Sequence, residues 1–389
     1  MTALDPAKAQ LEATARRGID ALRTGNAVAA RAAFDAITAS GRATPQIWLF
    51  LAQACDMADD RTAARAALAP VLAADPGNPY ALVMHGELHS RDGDDQAAST
   101  WYDRAFAAAA RSTNLPADLV ERLDRAAAER TAIAARFSAA MAAALAAAGI
   151  DPAAAGERFA ESLAIVGGTA QPALQEPTSF YFPGLPQRAF YDTAGFAWVP
   201  ALEAAMPAIR AEAAAVLADR TGVAPYVEAP RDRPVKAHSL LDDPRWSAFH
   251  LMQSGVPIAA NAARCPATMA AIAALPIPVI AGRSPMVLFS ILAPGTHIEP
   301  HNGMLNTRLI CHLPLIVPPA CRLRVGNSVR RVEAGKMLIF DDSIEHEAWN
   351  DSDEMRVILL FEIWRPELTP AERAGLTAIF GSISVYGSD

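Results

Sequence analysis

The 389-residue chain lacks the features that would tie it to nucleic acid, a bilayer or an oxidising compartment. Its 34 Lys and Arg are outnumbered by 42 Asp and Glu, for a net charge of −8. No general attraction to phosphate backbones or anionic lipid follows from such a balance. The Ala-rich runs are interrupted by charges well before the roughly 20 apolar residues a bilayer span needs. The opening MTALDPAKAQLEATARR also has no apolar stretch behind a basic one, as a secretory signal would. Cys55, Cys265, Cys311 and Cys321 stand in dissimilar contexts with no CxxC pair, which excludes a zinc ribbon or dithiol redox motif and argues against a disulfide framework. These absences set the expectation of a soluble cytoplasmic protein with no nucleic-acid and no membrane partner. What is present, 52% hydrophobic and 20% charged residues, is globular in composition, and the length accommodates two or three domains.

The first third carries a period of 34. Aligning 11–44, 45–78 and 79–112 puts Ala30, Ala64 and Ala98 in one column and Phe34, Leu68 and Tyr102 in another. A small residue followed four positions later by a large apolar one, on the same helical face, is the pattern of a helical hairpin whose two helices approach closely. Gly25, Asp59 and Gly93 mark the turns. Spacing and pattern resemble tetratricopeptide repeats. The Ala-rich segment 115–150 has helical spacing and few breakers, and is expected to cap the solenoid.

Residues 151–177 are richer in Gly, Pro and Thr and read as a linker, separating a helical region, 1–150, from a second domain, 178–389. In that domain a helix is expected from Pro200 to Leu217. From Met286 onward strand-like stretches dominate: 286–292, 307–316, 322–325, 329–332, 336–340 and 355–364, with turns at Pro294-Gly295, Gly326-Asn327 and Ala334-Gly335. Closely spaced antiparallel strands of this kind read as a double-stranded β-helix, the cupin-like jelly roll. The fold class is therefore an α+β multidomain chain.

Two histidines, His301 in HIEPHNGMLN and His346 in IFDDSIEHEAW, each sit where a strand meets a turn. Neutral imidazole is the commonest protein ligand for Fe(II)-like ions, and non-haem iron oxygenases usually add a carboxylate on the same face. That carboxylate ordinarily lies two residues after the first His, where this chain has Gly303. Arg356 opens a strand that is otherwise apolar on both faces, so its guanidinium needs an anionic partner. Its planar fork suits a carboxylate bidentately, and the internal alternatives are Glu362 and Asp342. Strand alternation puts Arg308 and His312 on one face and Leu309 on the other.

The run from Ser290 to Pro366, with HIEPHNGMLNTRLICHLPLIVP, GKMLIFDDSIEHEAWN and RVILLFEIWRPELTPAER, closely resembles the aspartyl/asparaginyl β-hydroxylases, Fe(II)- and 2-oxoglutarate-dependent oxygenases. FYFPGLPQRAFYDTAGFAWVP and WSAFHLMQSG extend the likeness upstream. That family has water in place of the acidic ligand, which suits Gly303. The resemblance implies His301 and His346 as metal ligands and catalytic centre, with Arg356 and Ser290 on the distal carboxylate of 2-oxoglutarate and His312 near its metal-proximal end. Arg308 is implied to bind substrate. The reaction implied uses O₂ and yields succinate, CO₂ and an Asp or Asn hydroxylated at its β-carbon. The substrate would be a protein or peptide docked on the helical repeats, with a small-molecule or lipid acyl hydroxylase and a non-catalytic scaffold as the alternatives. His297 is expected to be structural. Asp341, Asp342 and Glu345 are expected to cap their turn and hold the ligating imidazole through its second nitrogen. An Asp introduced at position 303 is expected to be tolerated. Ile310 departs from the resemblance, since many relatives carry a second arginine there; either cosubstrate binding leans harder on His312 or acceptance of an acidic substrate is altered.

Overall fold

The computed structural model describes residues 6–229 and 239–386. The chain divides into two compact units, 1–169 and 170–389. No helix among the described residues is long and apolar enough to cross a membrane.

The first unit is helical. Three hairpins run α1 (Pro6–Arg23) and α2 (Ala27–Ala39), α3 (Pro45–Met57) and α4 (Arg61–Ala74), α5 (Pro79–Arg91) and α6 (Asp95–Ala109). The 34-residue period reappears in the punctuation. Asn26, Asp60 and Asp94 cap the second helix of each hairpin, their side-chain oxygens accepting the backbone N–H of Ala29, Ala63 and Ala97 at 3.0 Å. The residue before each cap, Gly25, Asp59 or Gly93, has positive φ, a turn conformation that Asp tolerates better than most side chains. Ala30, Ala64 and Ala98 are fully buried beside buried Phe34, Leu68 and Tyr102. Those rings are seated against missing side chains: a Cβ on Gly18 would stand 2.7 Å from the Phe34 ring, and one on Gly86 2.4 Å from the Tyr102 ring. Where the large residue is the slimmer Leu68, the equivalent position is Ala52.

Residues Ala117–Ala147 then form one continuous helix, α7. The segment expected as linker contains a further helix, α8 (Glu157–Val166). Phe159, Leu163 and Val166 give it helical spacing, but the Gly, Pro and Thr on either side dominate the composition of so short a stretch.

The second unit is built on two antiparallel sheets. Its strands are β1 (Phe190–Tyr191), β2 (Ala224–Pro225), β3 (Trp246–Gln253), β4 (Val256–Pro257), β5 (Val287–Leu292), β6 (Thr296–His301), β7 (Arg308–Ile316), β8 (Cys321–Val325), β9 (Ser328–Arg331), β10 (Leu338–Phe340), β11 (His346–Asn350) and β12 (Arg356–Trp364). The larger sheet has the order β1-β10-β7-β12-β5-β3-β2, with β4 on β3, and the smaller is β6-β11-β8-β9. Alternation sorts the larger sheet into two faces. Leu309, Cys311, Leu313, Phe289, Ile291, Val357, Leu359 and Phe361 pack outward with Leu202, Ile209, Ala213 and Val216 of helix α9 (Val199–Asp219). Ile310, Leu288, Leu292 and Leu360 turn the other way and pack with Leu323, Val325 and Ala348 of the smaller sheet. The expected strands all occur within one or two residues at their ends. Three longer strands, β3, β6 and β11, have no counterpart in that reading.

Candidate active site

The space between the two sheets is a pocket, and all six expected site residues line it: Ser290, His301, Arg308, His312, His346 and Arg356. His301 ends β6 and His346 begins β11, and the register makes them direct cross-strand partners. Their rings lie 4.1 Å apart, centre to centre. Each imidazole meets the carbonyl two residues before it, His301 Nδ1 with Glu299 O at 2.8 Å and His346 Nδ1 with Ile344 O at 3.1 Å. A carbonyl only accepts, so each Nδ1 carries a proton. This corrects one expectation: the imidazoles are held by backbone carbonyls, that of Asp342 also reaching His346, and not by the carboxylates of Asp341, Asp342 or Glu345. Burial, then the neighbouring His301, pushes the His346 pKa down to about 3, which keeps it neutral as a ligand must be. The pair is thus suited in proximity and register to hold one divalent ion. No group of three or more His, Cys, Asp or Glu with metal-holding geometry occurs among the described residues.

Position 303 is occupied from outside. A Cβ on Gly303 would fall 2.0 Å from Asp342 Oδ2 and 2.3 Å from its Cγ, so the Asp342 carboxylate fills the place of the missing side chain. Tolerance of an Asp at 303 is therefore not supported. Burial drives the Asp342 pKa up to about 6 against the pull of Arg308.

On the larger sheet, Arg356 and Ser290 lie on adjacent strands and one face, with Arg356 opposite Leu292 and Ser290 opposite Ile358. Ser290 Oγ accepts the indole N–H of Trp246 at 3.2 Å, and Trp246 stacks on Tyr226 with centroids 4.1 Å apart. Arg356 is buried, and its Nε has no hydrogen-bond partner. Neither Glu362 nor Asp342 takes it; both go to Arg308. Burial lowers the Arg356 pKa to about 10. His312 is likewise held neutral, by burial and then by Arg356.

Arg308, implied to bind substrate, is consumed internally. It donates to Glu362 and lies 3.5 Å from Asp342. Burial opposes its charge, but those carboxylates raise its pKa above the ordinary value. His297, expected to be structural, pairs with Glu347 at 2.7 Å and stacks on Trp349. Sequence reasoning missed Tyr226, Trp246, Phe340 and Asp342 as pocket walls. The signal for Trp246 was its even-numbered spacing with Ala248 in a strand buried on both faces.

A family profile described as Aspartyl/Asparaginyl beta-hydroxylase matches 203–366, a span that includes every site residue above. Residues 203–366 belong to the aspartyl/asparaginyl β-hydroxylase family. Among curated relatives of this hydroxylase domain, the ornithine lipid ester-linked acyl 2-hydroxylase of Rhizobium tropici is 39% identical over 184 residues, 46% of this chain and 62% of that protein. Human aspartyl/asparaginyl beta-hydroxylase is 41% identical over 135 residues, 34% of this chain and 18% of that protein. The chain thus spans less than two thirds of the length of these relatives. Among solved structures, the crystal structure of PcrH in complex with the chaperone binding region of PopD is similar over 35% of this chain and 99% of that one, at 21% identity and a TM-score of 0.31, too slight a likeness to argue from.

Proposed function

We propose that the second unit is an Fe(II)- and 2-oxoglutarate-dependent hydroxylase. The observation that carries this reading is a buried guanidinium with no carboxylate partner among the described residues, in the same pocket as two cross-strand imidazoles. His301 and His346 would hold the iron, whose chemistry is to activate O₂ with oxidative decarboxylation of 2-oxoglutarate. One oxygen atom ends in the product hydroxyl and the other in succinate, with CO₂ released. Arg356 would take the distal carboxylate bidentately, replacing its missing counter-charge, with Ser290 beside it. His312, kept neutral, would face the keto-acid end. The apolar wall of Ile298, Leu323 and Ile358 excludes water, which strengthens each of these contacts. The strand orders β10-β7-β12-β5 and β6-β11-β8-β9 support reading the sheets as a double-stranded β-helix.

The reaction proposed is hydroxylation at the β-carbon of Asp or Asn in a polypeptide that the helical hairpins present, in the cytoplasm, where the four buried free thiols would persist. One observation favours a second reading, an acyl chain as substrate: the pocket wall is apolar and Arg308 is engaged. The test is iron-dependent succinate release by the full chain. His301→Ala and His346→Ala should abolish it, and retained activity in either would remove the metal assignment.

A further inference from the structure

Among the described residues, two guanidinium groups line the pocket, and one of them is uncommitted. Arg308 is clasped by Glu362 and faces Asp342 at 3.5 Å. Glu362 is fully buried and its other oxygen accepts the Met286 N–H at 3.2 Å, so this clasp is part of the wall. Among the described residues, Arg356 is the pocket-lining cation with no carboxylate partner, and a dicarboxylate cosubstrate would use it. Beside Arg308 on the same strand face stands Ile310, and Phe340, Leu323 and Leu360 continue the apolar surface. An ionised group brought here sheds its water without meeting a counter-charge, a cost the site cannot offset.

We propose that the reacting chain enters uncharged: Arg308 is locked by Glu362 and Asp342, and with Ile310 forms a wall that refuses a carboxylate next to the carbon being hydroxylated. An asparaginyl residue or another neutral chain is accepted and an aspartyl residue is not. This rests on the hydroxylase reading above and narrows its substrate.

Two peptides identical except for Asn or Asp at the target position differ only in that charge. With the full chain, Fe(II) and 2-oxoglutarate, the Asn peptide should gain oxygen with a kcat/KM at least about 100-fold above the Asp peptide, read by mass spectrometry. Glu362→Gln keeps an acceptor for Met286 while removing one counter-charge from Arg308, and should raise turnover of the Asp peptide about tenfold. Equal or better use of the Asp peptide by the unaltered protein overturns the proposal. Oxygen entering the acyl chains of ester-linked lipid vesicles, with both peptides untouched, supports the uncharged chain and ends the polypeptide reading. Absence of iron-dependent succinate ends the hydroxylase reading, yet the charge lock still answers to calorimetry of the metal-free chain with succinate. One site is expected, lost in Arg356→Ala and joined by a second in Glu362→Gln; two sites in the unaltered protein overturn the lock.

Discussion

Strand β12 begins on one buried arginine, Arg356, and is followed at once by another, Arg365. They are 2% and 0% exposed, so burial does not distinguish them. Their partners do. Arg365 reaches Asp341 at 2.7 Å, the carbonyls of Pro186 at 2.8 Å and Asn306 at 3.2 Å, and the Tyr191 hydroxyl. Asp341 is held in turn by the Gln175 amide at 2.6 Å and by the hydroxyl of Ser343 at 2.5 Å. Although burial opposes it, Asp341 raises the Arg365 pKa. Around Arg356 no carboxylate of the described residues compensates, and burial lowers its pKa. Two identical side chains, one opening the strand and one just past its end, are thus an anion receptor and a clasp, and what separates them is which groups the fold leaves unanswered.

The largest expected effect breaks the clasp. Arg365→Met leaves Asp341 charged and buried, and should cost about 3–5 kcal/mol in denaturant unfolding. Arg356→Met is expected to leave stability unchanged or raise it, while weakening 2-oxoglutarate binding by about 10- to 150-fold, the worth of a charge-assisted hydrogen bond at 1.5–3 kcal/mol. Equal destabilisation by the two substitutions would erase the distinction. A smaller effect concerns the carboxylate beside the pocket: Gly303→Ala drives a methyl into Asp342 and should cost about 1–3 kcal/mol, relieved when Asp342→Ala accompanies it.

The smallest effect extends the contrast to imidazole. The pKa of His346 is about 3 in the folded protein against an ordinary 6.5, so the unfolded chain takes up that proton first. Its stability contribution is therefore full above about 6.5 and is lost as pH falls toward 3. Asp342 works in the opposite sense: its pKa is raised from 3.8 to about 6, which favours the folded state below 3.8 and loses that contribution as pH rises through 6. Because the two partly cancel, the readout is the difference. His346→Gln should flatten the acid limb of the metal-free protein, and an unchanged limb would mean that the ring is not buried in neutral form.

What was legible in the chain depended on repetition and on punctuation. Hairpin turns at Gly25, Asp59 and Gly93 followed from a period, and the strands at 287–292 and 356–364 from apolar runs between turn signals. The six pocket residues were legible through the resemblance and through alternation along β7. The rest depends on distance in sequence. Glu362 answers Arg308 from 54 positions away, and Asp342 fills the space at Gly303 from another loop. The groups orienting the two imidazoles are backbone carbonyls, which every residue possesses and no motif announces. Strand β3 was missed because five of its eight residues are buried, leaving no polar alternation to read.

The fit of rings against glycines in the helical hairpins carries a consequence for assembly. Near-identical modules in tandem invite exchange, one helix pairing with the wrong neighbour's counterpart at little apparent penalty. Here the halves are keyed. The hollow at Gly18 admits the Phe34 ring and that at Gly86 the Tyr102 ring, whereas the methyl of Ala52 would strike either ring and Leu68 would leave either hollow underfilled. Each hairpin closes best on itself, and shape alone proofreads a register that the shared 34-residue spacing would otherwise leave degenerate.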